Sequence, residues 1–492
     1  MNAARRKSGF AGDVLKLVSG TTVAQLLTLL VAPILTRLFA PDTWGVLAIF
    51  TSITGILGVI ACLRYELAIM LPEKDEESAN LFGVSLLFSI LVPLLTVPII
   101  WCGKSTMLRW LNTPGLAPYL WLVPIMVFLQ GVFLALNYWN SRTRHFGRLS
   151  IARVISSFST SLGKLGFGFA GHATAGTMIG VTVAGSAIST TILGGQIWRN
   201  DRKIFLKSVR WRQMREVMIR HKKFPMISTW SGLMNTVSAQ LPNLMLAFFF
   251  SSTVVGFYAL GYRLLSMPMG LIGGAIAQVF FQRAVEAHHQ EMLPAIVKNT
   301  FMHLMAIGAF PLLLIMITGK EIFSVIFGIQ WADAGIYAQI LSPWILFVFL
   351  GSPISTLFSV LEMQGTGLLF NVILLVTRVA SLAIGGFKGS ILIALILYAG
   401  TGAILWCGFC FYLMYMSGVR LHLLSHDFRK ILWMILISLL PVVLLKFLGF
   451  QPLITVVAGF FSFLLYYVLL YFQDEEIQKL FAHYARKFIG KV

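Results

Sequence analysis

Lys164 stands in the stretch TSLGKLGFGFAG, deep in an apolar part of the chain, and its nearest charged neighbours in sequence are Arg153 and Arg199. Arg263 and Arg378 sit in equally apolar surroundings. A guanidinium offers planar, paired donors that match phosphate oxygens, whereas an ammonium acts as a point charge. On a lipid-facing surface each cation would cost at least about 2.5–3.5 kcal/mol. With no carboxylate in the same runs to pair with, all three are expected to face a hydrated cavity and to attract an anion. A diphosphate would suit them.

A second candidate pair, Arg64 and Glu66, lies in CLRYELAIML, where an apolar run closes. The pair could act as an internal gate or touch an anion at the mouth of a cavity. It could equally be a salt bridge that fixes a helix end, since spans commonly end at such charges. Other reactive residues lead nowhere. Cys407 and Cys410 are spaced like a redox pair in LWCGFCFY, but such a motif needs an electropositive, partly exposed helix start, and this one is buried in apolar sequence. Adjacent His288 and His289 point apart on a helix and make a poor metal pair. No catalytic residue, metal ligand or cofactor is expected, and the chain is not expected to be an enzyme.

The elements that must position these residues are membrane spans. Of 492 residues, 58% are hydrophobic and 11% charged, against about 25% charged in soluble domains. Apolar runs long enough to cross a core of about 30 Å recur roughly over 14–36, 43–63, 79–101, 118–138, 149–170, 174–197, 225–250, 253–280, 298–319, 333–360, 366–385, 390–417, 430–448 and 452–472. An all-α polytopic membrane protein of about 14 spans follows. The basic start MNAARRKSGF precedes a run that is too long for a cleaved leader and contains Pro33, so a retained first helix is expected.

A net charge of +20 raises the possibility of nucleic acid, but the positions of the charges argue for topology. Most Lys and Arg fall on one side of the predicted spans, as the positive-inside bias requires. This places both termini in the cytoplasm and argues against a nucleic-acid partner. Lys164 and Arg378 each precede an external turn by eight residues and Arg263 follows one by eleven. At about 1.5 Å per residue, that puts all three some 12–17 Å below the external surface.

The two halves of the chain are alike. SGTTVAQLLTLLVAPILTRLFAPDTWGVLAI starts at Ser19 and SGLMNTVSAQLPNLMLAFFFSSTVVGFYAL at Ser231; each has a proline (Pro33, Pro242), then a short turn, then a glycine opening the next helix (Gly45, Gly256). Six intervening spans make these parallel repeats, a transporter architecture. The expected division is a six-helix lobe over 1–197, a basic linker over 198–223, a second six-helix lobe over 224–418, and a final helix pair with a tail over 419–492.

The run CLRYELAIMLPEKDEESANL at 62–81, the turn LFAPDTWGVLAI, the fourteen spans and the basic central segment together resemble bacterial oligosaccharide flippases of the Wzx type. That family belongs to the superfamily holding multidrug exporters and the lipid II flippase. The resemblance implies two lobes rocking around a central cavity in the bacterial inner membrane. The cargo would be an undecaprenyl-diphosphate-linked oligosaccharide used for surface polysaccharide, with membrane lipids around it and a polysaccharide polymerase and chain-length regulator as partners. Lys164, Arg263 and Arg378 would be the cationic cavity residues. A cation-coupled multidrug exporter would need a membrane-buried carboxylate, and no acidic residue falls mid-span. A membrane-embedded polymerase would need a large catalytic loop, which the sequence lacks.

Overall fold

The computed structural model describes residues 10–290, 292–420 and 425–473. The expectations for residues 1–9, for the basic tail within 474–492 and for the side chains of His288 and His289 lie outside the described residues. No strand occurs among the described residues. The chain runs through α1 (Phe10–Leu38), α2 (Pro41–Ile60), α3 (Tyr65–Ala68), α4 (Asp75–Trp110), α5 (Leu122–Arg142), α6 (Phe146–Phe169), α7 (Ala175–Ser208), α8 (Trp211–Arg220) and α9 (Thr229–Phe249). It continues through α10 (Ser252–Pro268), α11 (Gly274–His289), α12 (Leu293–Ile326), α13 (Ala332–Ile354), α14 (Leu357–Val360), α15 (Gln364–Phe387), α16 (Ile391–Met416), α17 (Ser425–Phe447) and α18 (Pro452–Gln473).

Local chemistry sets the helix starts. Pro41 opens α2, where its missing N–H is no loss. Asp75, Glu76 and Glu77 fill the first turn of α4 and complement the positive end of its dipole. Thr174 caps α7 by accepting from the Thr177 amide at 3.2 Å. Among the described residues, 11 helices are long and apolar enough to cross a membrane. The other three expected spans are helical too, but α6 and α9 carry many polar residues and α10 stops after 17 residues, before a π-helical turn at Met269–Gly273. Lys164 is on α6 and Arg263 on α10. Two of the three candidate cations thus lie on the expected spans that are not among those 11 helices.

The chain forms two compact units, residues 1–259 and 260–492. In the first, α1 lies along α6 with Gly20 against Ser150, and the Arg153 guanidinium donates to the Thr21 hydroxyl at 3.0 Å. Trp139, Phe82 and Phe205 form its aromatic core, with ring centroids 4.7–5.6 Å apart. The basic segment expected as a linker is helical for most of its length and belongs to this unit: α7 runs on to Ser208 and α8 follows. It is tied to the start of α4, where the Asn80 amide donates to the Ser208 carbonyl at 2.9 Å and Arg220 pairs with Glu77 at 2.6 Å.

In the second unit α12 and α13 pack closely: a Cβ on Gly335 would lie 2.4 Å from the Gly319 carbonyl oxygen, so only glycine allows the approach. The final pair α17–α18 is fastened to α12. Tyr466 and Tyr467 each donate to a main-chain carbonyl, of Ala306 and Ile307, at 2.7 Å. Lys446 pairs with Glu321 at 3.0 Å.

Candidate functional site

Between α2 and α3 the chain makes a turn that puts Leu63 and Arg64 in the left-handed region, at φ 47° and 63°. For residues with a Cβ this costs roughly 1–2 kcal/mol each, so the surroundings must hold the turn. Tyr65 does so, donating its hydroxyl to the Met218 carbonyl at 3.1 Å and stacking on Phe88 at 5.6 Å. The turn delivers Glu66 to a fully buried position. Arg64 Nη1 approaches Glu66 Oε1 at 3.6 Å, long for an ion pair. Neither Glu66 oxygen accepts a hydrogen bond, and Arg64 Nε is also buried without an acceptor. Burial pushes the Glu66 carboxyl above the usual carboxylate range, while the Arg64 guanidinium pulls the other way. Arg64 and Glu66 therefore form the expected pair, but their hydrogen-bonding capacity is left largely unused.

The Arg64 guanidinium lies against Gly232 of α9, where a Cβ would fall 2.5 Å from Nη2. It also lines a cavity of about 430 Å³ whose polar walls are Gln130, Ser186, Ser189 and Thr190. A planar cation with spare donors, facing hydroxyls and an amide, is suited to an anionic or hydroxyl-rich ligand.

Sequence reasoning missed a second polar cluster. Ser52 of α2 donates to Gln240 Oε1 of α9 at 2.8 Å and accepts from the Asn243 amide at 2.9 Å, leaving Asn243 Oδ1 buried without a donor. Its signal was available: SAQLPN sets Gln240 and Asn243 on one face of an otherwise apolar helix.

The cations expected in one layer divide between the units. Lys164, in the first unit, is half-buried and five residues from the end of α6 at Phe169. That is about 7 Å along the helix from its end. Arg263 is exposed on α10, eleven residues from its start at Ser252. Arg378 is nine residues from the end of α15 and lies over the Trp344 ring, 5.8 Å from its centroid. Trp344 is buried, stacks on Tyr262 at 6.0 Å and meets Tyr398 edge-on at 4.9 Å. Tyr262 directly precedes Arg263, so in the second unit one aromatic group links the helices bearing both arginines. A ring face attracts a guanidinium, and Trp344 offers one to Arg378.

The fold matches known transporters. A structure of the lipid II flippase MurJ in an inward closed conformation aligns over 92% of this chain and 98% of its own, with a TM-score of 0.69 at 13% identity. An inward-facing multidrug resistance MATE family transporter of the MOP superfamily aligns over 82% and 98%, with a TM-score of 0.62 at 14% identity. A MOP superfamily transporter from Pyrococcus furiosus aligns over 82% and 94%, with a TM-score of 0.51 at 15% identity. No curated protein sequence matches the chain. The all-helical multi-pass membrane fold read from the sequence is thus the fold of MurJ and of MATE transporters. Residues 34–335, well over half of the chain, match the family described as polysaccharide biosynthesis protein, and to that family the chain belongs.

Proposed function

We propose that the protein is a flippase, not an enzyme, and moves undecaprenyl-diphosphate-linked oligosaccharide repeat units from the cytoplasmic to the external leaflet of the bacterial inner membrane. Family membership connects it to polysaccharide biosynthesis, and the MurJ-like fold supports transport of a lipid-linked saccharide. The observation that carries the reading is the placement of cations: Lys164 lies on the polar-flecked α6, Arg263 on the short α10, and Arg378 on an aromatic platform beside the second. In this reading the diphosphate pairs with Lys164, Arg263 and Arg378 in turn while the sugars occupy hydrated space. The polyprenyl tail stays in lipid. Arg64, with spare donors toward its cavity, meets the diphosphate on entry while Glu66 is its resting partner. An inside-negative potential assists an anion moving outward by about 2.3 kcal/mol per charge per 100 mV.

One observation favours a second reading. Glu66 is a fully buried carboxylate, which removes at this position the sequence argument that a cation-coupled exporter has nowhere to bind its ion. Single replacements of Lys164, Arg263 and Arg378 by Gln, made in cells that keep normal protein levels, separate the two. Loss of surface polysaccharide with accumulation of lipid-linked repeat units supports the flippase. Unchanged export in all three variants, together with drug efflux that depends on Glu66, supports the exporter.

A further inference from the structure

The segment from Arg199 to Lys223 carries ten Lys and Arg against two acidic residues, Asp201 and Glu216. Positive-inside topology accounts for the sign of this charge but not for its form. A solvated topological loop has no need of structure, yet most of this segment is helix, and α8 is docked on its unit through buried Met214 and Val217. The opposite face presents Trp211, Arg215 and Ile219 at i, i+4 and i+8, with Arg212 beside them. Trp211 is 66% exposed and Ile219 60%, and Leu206 at the end of α7 is 73% exposed. Arg212 forms an ion pair with Glu216 at 3.4 Å on the open surface. Large apolar side chains alternating with guanidinium groups on one helical face match a membrane interface, where indole and aliphatic groups enter the headgroup boundary and cations meet phosphate. Charge decides which lipid: clusters of Lys and Arg next to a span are attracted to anionic headgroups.

We infer that α8 and the end of α7 form a docking surface for anionic phospholipid, with Leu206, Trp211 and Ile219 seated in the interface and Arg210, Arg212 and Arg215 on the headgroup phosphates. The inference is independent of the cargo, because the residues involved are separate from Arg64, Lys164, Arg263 and Arg378.

The test uses the full chain in lipid nanodiscs. An environment-sensitive fluorophore is placed at Ile219→Cys after the four native cysteines are replaced, and headgroup-labelled nitroxide lipid serves as quencher. Discs contain phosphatidylcholine alone or with increasing phosphatidylglycerol. Quenching is expected to rise with the anionic fraction and to weaken as salt is added. In Arg210→Gln/Arg212→Gln/Arg215→Gln the rise should shift to much higher anionic fractions, since three fewer cations weaken partitioning at an anionic surface by on the order of 100-fold. Lys104→Gln/Arg109→Gln/Lys388→Gln, matched in net charge but elsewhere on the chain, should behave as the parent. All proteins are first checked for the same thermal transition, so a misfolded variant is set aside. Equal quenching at every lipid composition, or the same loss in both triple variants, would overturn the inference. So would a probe that reports water in all discs but responds to added polyglutamate, which would assign the surface to an acidic protein segment.

Discussion

Gly45 of α2 and Gly256 of α10 meet backbone to backbone: a Cβ added to either would lie 3.1 Å from the other's amide nitrogen. The two residues open equivalent helices in the proposed repeat. The same Cβ atoms would also collide with main chain, at 1.7 Å from the Ser252 carbonyl oxygen for Gly45 and 2.0 Å from that of Pro41 for Gly256. Close by, the Ser252 hydroxyl donates to Asp42. Backbone cannot yield as a flexible side chain can, so any larger residue must push the two helix starts apart.

Gly45→Ala and Gly256→Ala are accordingly expected to disfavour the state seen here. Disulfide trapping reports it: Asp42→Cys with Ser252→Cys should cross-link readily in the parent and several-fold more slowly with either alanine present. Unchanged cross-linking would mean that this contact does not hold the helix starts together.

Glu66 predicts an unusual pH dependence of stability. The folded protein holds this proton more tightly than the unfolded chain does, because burial raises the carboxyl pKa. Its contribution to stability is therefore fully present below the ordinary carboxylate value of about 4.3 and is lost as pH rises through the elevated one. Glu66→Gln, which imitates the protonated form, should melt above the parent near neutral pH and converge with it in acid. A variant that melts below the parent at neutral pH would show that the Arg64 contact outweighs desolvation.

Removing Arg64 should reveal two opposing effects. Arg64→Gly relieves a left-handed backbone at φ 63°, a gain of about 1 kcal/mol. It also strands Glu66, and loss of one partner of a buried pair costs about 3–5 kcal/mol. The single variant should be destabilised by roughly 2 kcal/mol or more, and Arg64→Gly/Glu66→Gln should recover most of it. Denaturation of the four proteins closes the cycle; additive effects would argue against coupling across 3.6 Å.

Gly232→Ala separates position from presence. Its Cβ would displace the Arg64 guanidinium, whose Nη2 lies 2.5 Å away, while the arginine remains. Repeat-unit export in cells should fall severalfold with protein levels maintained, and Gly232→Ser should behave alike. Export at the parent rate would show that the guanidinium has no fixed task.

Long helices were legible because each needs only an apolar run of about 20 residues, and α15, α16 and α18 follow such runs closely. What was not legible depends on contacts distant in sequence. Glu66 reads as a helix-end charge, and only the left-handed turn at Leu63 and Arg64, held by Tyr65 on Met218, shows that it is buried. Nor does the sequence show that α6 stops at Phe169, five residues beyond Lys164. The Trp344 platform under Arg378 joins residues from three helices, which no local pattern announces. By contrast, the Ser52–Gln240–Asn243 cluster could have been sought from two amide side chains on one face of an apolar helix.

Tyr466 and Tyr467 grip α12 by its main-chain carbonyls. A carbonyl is present whatever residue occupies the position, so these acceptors survive any substitution on that face of α12 short of one that breaks the helix. The two tyrosine hydrogen bonds thus place no demand on the side chains at 306 and 307, unlike the Phe310–Tyr466 stack at 4.5 Å and the Lys446–Glu321 pair, which need particular residues on α12. In homologues whose α12 differs at positions 306 and 307, the two tyrosines would still find their acceptors.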